Sequence, residues 1–188
     1  MFQRDSHATS KLAALKGNLY LDIARESPKV ILPNARHDIH GKNVKSRKEC
    51  MLAAAAQFVS ADKSLQRLGE TSKIDSPLYL GKASLQLAQG NLDEALKTFN
   101  GILKNHSRNV FALMGRARIL HVKRHYAEAL RTYQDVLRVS PRLTPDPRIG
   151  IGLCFWQLNC PVEAKAAWER SAALVSVSCC SEHLLNLL

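Results

Sequence analysis

The most restrictive feature of the sequence is an internal period. Three segments share one skeleton: Leu78–Asn105, Ala112–Val139 and Pro147–Leu174. They superimpose on one alanine each, Ala95, Ala129 and Ala164, at intervals of 34 and 35 residues. Four residues after each alanine stands an aromatic: Phe99, Tyr133 and Trp168. Twelve residues before it stands a small residue: Ala83, Ala117 and Gly152. A period of 20–50 residues means that one supersecondary unit is stacked on copies of itself, because no single unit can bury its apolar face alone.

The residue types say what the unit is. A small residue and an alanine at fixed separation mark the close approach of two antiparallel helices. The aromatic one turn further along the same face fills the wedge between neighbouring units. Gly90-Asn91, Arg124-His125 and Asn159-Cys160-Pro161 sit where each helix pair must turn, with Gly90 supplying a helix stop and Pro161 suiting a first helical turn. The spacing predicts helices over about 77–89, 92–105, 110–123, 126–139, 147–158 and 161–174. A period near 34 residues with two helices per unit is that of tetratricopeptide repeats, so the expected fold is all-α, a right-handed solenoid of antiparallel helix pairs.

Upstream the pattern weakens. KSRKECMLAAAAQFVSADKSLQRLG (45–69) reads as one helix in which Ala54, Phe58 and Ala61 repeat the alanine and aromatic spacing. It is expected to be the second helix of a degenerate repeat whose first helix spans about Thr9–Arg25, with an inserted loop at 27–43. An ordinary helical hairpin is the alternative. The expected organisation is thus 1–75, then repeats at 76–109, 110–143 and 145–175, then 176–188 as the start of a further helix. No polar terminal cap follows, so the chain reads as a piece of a longer solenoid or one that depends on a partner.

Composition agrees. Of 188 residues 46% are apolar but only 6% aromatic, which suits close-packed Ala- and Leu-rich helices. The net charge of +11 favours acidic partners. Between Val110 and Leu143 seven cations (Arg116, Arg118, Lys123, Arg124, Arg131, Arg138 and Arg142) face only Glu128 and Asp135. Weak phosphate attraction through this second repeat is therefore one expectation, although no column of stacking residues accompanies it. The five cysteines form no zinc or redox spacing, and MFQRDSHATSK lacks the apolar stretch of a signal peptide. Cys154 and Cys160 are expected to pack inside as small apolar residues. No apolar run is long enough to span a membrane.

Catalytic and metal-binding patterns are absent from the reading. His37 and His40 with Cys50 fit no closed zinc site. Gly150 and Gly152 follow no strand and lack a phosphate-loop lysine, so they read as helix-packing glycines. No enzyme, cofactor or metal is expected.

The local wording is more specific than the repeat. ILPNARHD (31–38), SADK (60–63), DSPLYLGKASLQLAQGNLDEAL (75–96) and DPRIGIGLCFWQLNCPVEAKAAWERSAAL (146–174) resemble the amino-terminal part of the large tetratricopeptide subunit of the polymerase-associated factor (Paf) complex, in a fungal-like form. The phrase R-x-G-x-G-x-C-F at Arg148–Phe155 is its most distinctive motif. The resemblance covers roughly residues 11–175, and its members are several times longer. It implies a nuclear, non-catalytic scaffold that travels with RNA polymerase II, supports histone H2B ubiquitination and H3 methylation, and grips the complex's namesake subunit.

The first helix of each repeat lines the concave face of such arrays. Groove-facing positions are then Leu80, Ser84 and Leu87; Met114, Arg118 and His121; and Ile149, Leu153 and Trp156. This groove is apolar with one cationic centre and suits an amphipathic segment carrying leucines and an acid. A chaperone adaptor's carboxylate clamp would need Lys, Asn or Arg at Leu80, Ser84, Gly115, Asp146 and Gly150, and none matches. A generic adaptor for another protein remains the alternative.

Overall fold

The computed structural model describes residues 2–27, 46–67 and 76–185. Among them every regular element is a helix: α1 (Phe2–Glu26), α2 (Arg47–Arg67), α3 (Ser76–Ala88), α4 (Leu92–Asn105), α5 (Val110–Val122), α6 (Tyr126–Val139), α7 (Pro147–Gln157) and α8 (Pro161–Leu185). Consecutive helices pair as α1 with α2, α3 with α4, α5 with α6 and α7 with α8. This is an all-α tetratricopeptide solenoid. Packing divides the chain into two compact units, Met1–Asn105 and His106–Leu188. The first tetratricopeptide pair, α3 and α4, thus groups with the N-terminal helices.

Several helix ends have a local cause. Asn109 caps α5 by accepting from the Ala112 N–H at 3.0 Å, and Asp146 caps α7 by accepting from the Arg148 N–H at 2.9 Å. Ahead of α2, Ser46 and Glu49 form a reciprocal capping box: the Ser46 N–H donates to Glu49 Oε2 at 2.9 Å and the Glu49 N–H to Ser46 Oγ at 3.3 Å. The three repeat turns are one motif. Gly90, Arg124 and Asn159 each take a left-handed φ, of 85°, 65° and 60°. The next residue's N–H then reaches back over the helix end, from Asn91 to Gln86 O, from His125 to Leu120 O and from Cys160 to Phe155 O, each at 2.9 Å. These are Schellman closures, which satisfy carbonyls that the helix leaves unpaired. Pro147 follows the Asp146 cap in the first turn of α7.

In the first unit Phe58 is buried among Ala13, Ala14, Leu21, Ala54, Ala61, Leu65, Leu78 and Leu85. Its ring lies on two glycines from two other helices. A methyl group added to Gly17 of α1 would sit 2.5 Å from Phe58 Cε1, and one on Gly81 of α3 would sit 2.6 Å from Phe58 Cζ. One ring of α2 thus seats both α1 and α3. Lys82 of α3 adds an ion pair with Asp62 of α2 at 2.7 Å.

The second unit repeats the device. Ala117, Leu120, Ala129, Tyr133, Ile151 and Cys154 form its core. Tyr133 of α6 covers Gly150 of α7, so that a methyl there would sit 2.6 Å from Tyr133 Cε1. Trp168 of α8 covers Gly152, where a methyl would meet the indole at Nε1 and at 2.5 Å from Cδ1. Cys154 is completely buried, whereas Cys160 sits half-exposed in the turn, with Sγ 3.6 Å from Leu158 O. The expectation that both cysteines pack inside is met in full by Cys154 and corrected for Cys160, which the turn at the left-handed Asn159 leaves only partly buried. α8 also runs unbroken to Leu185, so the segment expected to start a further helix at 176 continues α8 instead. No glycine or proline interrupts Val162–Leu185. The inserted loop at 27–43 lies outside the described residues apart from Ser27, whose Oγ donates to Ile23 O at 2.7 Å. His37 and His40 fall outside them too.

Three outcomes follow. Gly150→Ala should lower stability by about 2–3 kcal/mol in urea unfolding, the typical cost of overpacking. Gly101→Ala, where nothing lies within 4 Å, should gain up to about 1 kcal/mol from helix propensity. Arg124→Gly should raise stability by about 1 kcal/mol, because glycine adopts the left-handed turn without a Cβ clash.

Candidate functional site

The nine groove positions fall on α3 in the first unit and on α5 and α7 in the second.

In the second unit α5 and α7 lie side by side. The buried face of α7 is made of Gly150, Ile151, Gly152 and Cys154. Ile149, Leu153 and Trp156 recur at intervals of four and three on the opposite face and stay exposed, by 48%, 43% and 56%. Leaving three large apolar side chains of one helix in water forgoes several kcal/mol of burial, at about 1.5–3 kcal/mol each. Trp156 is partly supported from behind: its ring lies 6.2 Å from that of Trp168, tilted by 37°. Trp168 Nε1 in turn donates to Ile149 O at 3.4 Å. Trp156 thus both packs on α8 and keeps more than half its surface open.

On α5, Arg118 is exposed and Met114 half-buried against the core. His121 is held edge-on against Tyr126 with ring centres 5.3 Å apart, and its Nε2 is buried without a hydrogen bond. Its ring is therefore a wall of the turn more than an open contact. The motif Arg148–Phe155 now has a physical content. Arg148 Nη1 donates to Pro141 O at 3.1 Å and pairs with Asp146 at 3.2 Å, which fastens the connector to the start of α7. Gly150 and Gly152 receive the two rings, Cys154 fills the space between, and Phe155 packs against the same core.

In the first unit Leu80, Ser84 and Leu87 are each half-buried on α3. Ser84 lines a cavity of about 330 Å³ together with Leu21, Ala24 and Arg25 of α1, Arg47 and Met51 of α2, and Ala88 of α3. The sequence reading did not find the two arginines, because they come from helices on either side of a long insertion. It also passed over Leu12, Leu15, Leu19 and Ile23, an exposed stripe on α1 readable from their spacing of three, four and four.

Titration at the core is shifted by burial. Burial pushes the Cys154 thiol up to about 11. It also pushes the Tyr133 phenol up to about 12, with Cys154 adding to the rise and Arg118 opposing it. A thiol held protonated is a poor nucleophile. Among the described residues no group of His, Cys, Asp or Glu is placed to hold a metal ion, and no helix is long and apolar enough to cross a membrane. Tyr133 ionises near pH 10 when unfolded and near 12 when folded, so its contribution is intact below pH 10 and is lost as pH rises from 10 to 12. Urea unfolding of Tyr133→Phe should lose less stability than the parent chain between pH 9 and 12, by on the order of 2 kcal/mol.

Comparison with known proteins agrees with this geometry. Residues 80–147 match the tetratricopeptide repeat family. Tetratricopeptide repeat protein 1 of Schizosaccharomyces pombe is 44% identical over 80 residues, which are 43% of this chain and 8% of that protein. RNA polymerase-associated protein CTR9 of Saccharomyces cerevisiae is 37% identical over 106 residues, 50% of this chain and 10% of that protein. The CTR9 homolog of Arabidopsis thaliana is 32% identical over 114 residues, covering 61% and 10% respectively. The matched part of the chain thus spans about a tenth or less of the length of these relatives. Among solved structures, a tetratricopeptide-repeat protein of Thermus thermophilus superimposes with a TM-score of 0.50 at 22% identity, over 65% of this chain and 69% of that one. The MamA AMB-1 structure gives 0.53 at 12% identity, over 89% and 92%. These structural likenesses speak to fold. By repeat, interlock and sequence, the chain carries a tetratricopeptide domain and has curated relatives named CTR9 in yeast, plant and worm.

Proposed function

We propose that this chain is a non-catalytic protein-interaction scaffold that works in a nuclear, RNA polymerase II-associated Paf complex and holds a segment of the complex's namesake subunit. In this reading it contacts other complex members directly and the polymerase indirectly. Its contribution to H2B ubiquitination and H3 methylation is to position partners. The observation that carries the reading is the exposed Ile149, Leu153 and Trp156 stripe on α7, with Arg118 exposed on the adjacent α5. An apolar row with a cation on the neighbouring helix matches a partner segment that presents leucines and an acid. The similarity to CTR9 proteins supports the choice of complex. The tetratricopeptide fold fits a scaffold.

Nucleic-acid binding through the second repeat is the second reading, favoured by exposed Arg124, Arg131 and Arg142. It is weaker because Arg138 is already paired with Asp135 at 3.0 Å. Such binding would also fall steeply with salt.

The test is a pull-down from nuclear extract with this chain as bait, read by mass spectrometry at rising salt. Recovery of the namesake subunit and further complex members through raised salt is the expected result. Trp156→Ala should lower that recovery at least tenfold with unchanged helicity, as expected for an aromatic anchor worth about 2 kcal/mol or more. Recovery of nucleic acid alone would overturn the scaffold reading, and undiminished capture by Trp156→Ala would remove α7 from it.

A further inference from the structure

The cavity in the first unit has a chemistry of its own. Leu21 and Ala24 of α1, nearly fully buried, contribute an apolar lining that Met51 and Ala88 complete. Arg47 stands at its wall in a fixed pose. Its Nε donates to Ala24 O and its Nη2 to Arg25 O, each at 3.0 Å, so the guanidinium clamps the last turn of α1. A cation already immobilised by two backbone carbonyls loses little freedom when it meets an anion. Arg25 supplies a second guanidinium to the lining.

The carboxylates nearby do not cancel this charge evenly. Asp22 is engaged by Arg25 Nη1 at 2.9 Å, Glu49 is engaged in the α2 capping box, and Glu26 is exposed at the end of α1. Among the described residues, the partners of the Arg47 guanidinium are the neutral carbonyls of Ala24 and Arg25. A volume of about 330 Å³ lies at the small end of ligand sites and suits one or two side chains. Among the described residues, no aromatic side chain on which a nucleobase could stack lines the cavity.

We infer that this cavity is an anchor site for an acidic–aliphatic pair, Leu-Glu or similar, in a protein segment. The aliphatic side chain lies on Leu21 and Met51, and the carboxylate meets Arg47 and Arg25. The inference rests on the scaffold reading and adds a second, charge-selective contact in the first unit, with Ser84 at its mouth. It also fits a chain of net charge +11.

The probe is a fluorescein-labelled ten-residue peptide with two Leu-Glu pairs, titrated against the full chain by fluorescence polarisation. Controls are the same peptide with Gln for Glu and a scrambled peptide of equal charge. The parent peptide should bind at least tenfold more tightly than either control. Ser84→Phe, which fills the cavity, and Arg25→Ala should each weaken it at least fivefold, with helicity checked by circular dichroism. Ala88→Phe serves if Ser84→Phe loses helicity. No binding, equal binding of the Gln or scrambled peptide, or indifference to both cavity variants would overturn the site. Peptide binding abolished by Trp156→Ala but not by Ser84→Phe would overturn it too, while leaving the scaffold reading in place.

Discussion

Everything else in this molecule depends on flat rings lying on helix backbones that have no side chain beneath them. Phe58 rests on Gly17 and Gly81, Tyr133 on Gly150, and Trp168 on Gly152. Each contact brings two helix axes closer than an ordinary pair of side chains permits, and each hides a large apolar area at once. Because interiors are packed at crystal-like density, a single added methyl at such a point has nowhere to go. The helix angles, the stacking of α7 on α6 and the seating of α3 against α1 and α2 are all fixed by these contacts. The groove-lining faces inherit their geometry from them.

Much of this was legible because the constraint recurs. Ala95, Ala129 and Ala164 carry the period, and the helix bounds read from it differ from those observed by a residue or so, except at α8. The glycines were harder to see as a set. Gly150 and Gly152 are readable as packing glycines, but that Gly81 and Gly150, each fourteen residues before its alanine, both carry a ring is not readable from spacing. The fate of Cys160 was illegible for a different reason. A one-residue reversal of φ at Asn159 decides which way the following side chain points, and sequence periodicity does not encode it. α8 was expected to stop because the repeat stops, but a helix ends where its chemistry ends it, and Val162–Leu185 contains no breaker.

The candidate surface was legible to the extent that it follows from register. On α7 the buried face carries Gly150, Ile151, Gly152 and Cys154 and the outward face Ile149, Leu153 and Trp156, so knowing one face gives the other. What register does not supply is depth. Trp156 is open and His121 is pinned against Tyr126, though both were placed at the same position in their repeats. The cavity beside Ser84 escaped sequence reasoning altogether, since Arg25 and Arg47, 22 residues apart, meet only once α1 and α2 pair.

The chain has two tryptophans, and they stand 6.2 Å apart in one repeat. Almost all of its ultraviolet emission therefore arises from a single spot where an outward-facing indole touches a ring wedged over a glycine. At that distance the two chromophores share excitation, so their near-ultraviolet circular dichroism is a property of the pair. The protein carries a native optical gauge of its last helix pair, sensitive both to what covers α7 and to whether α8 stays seated.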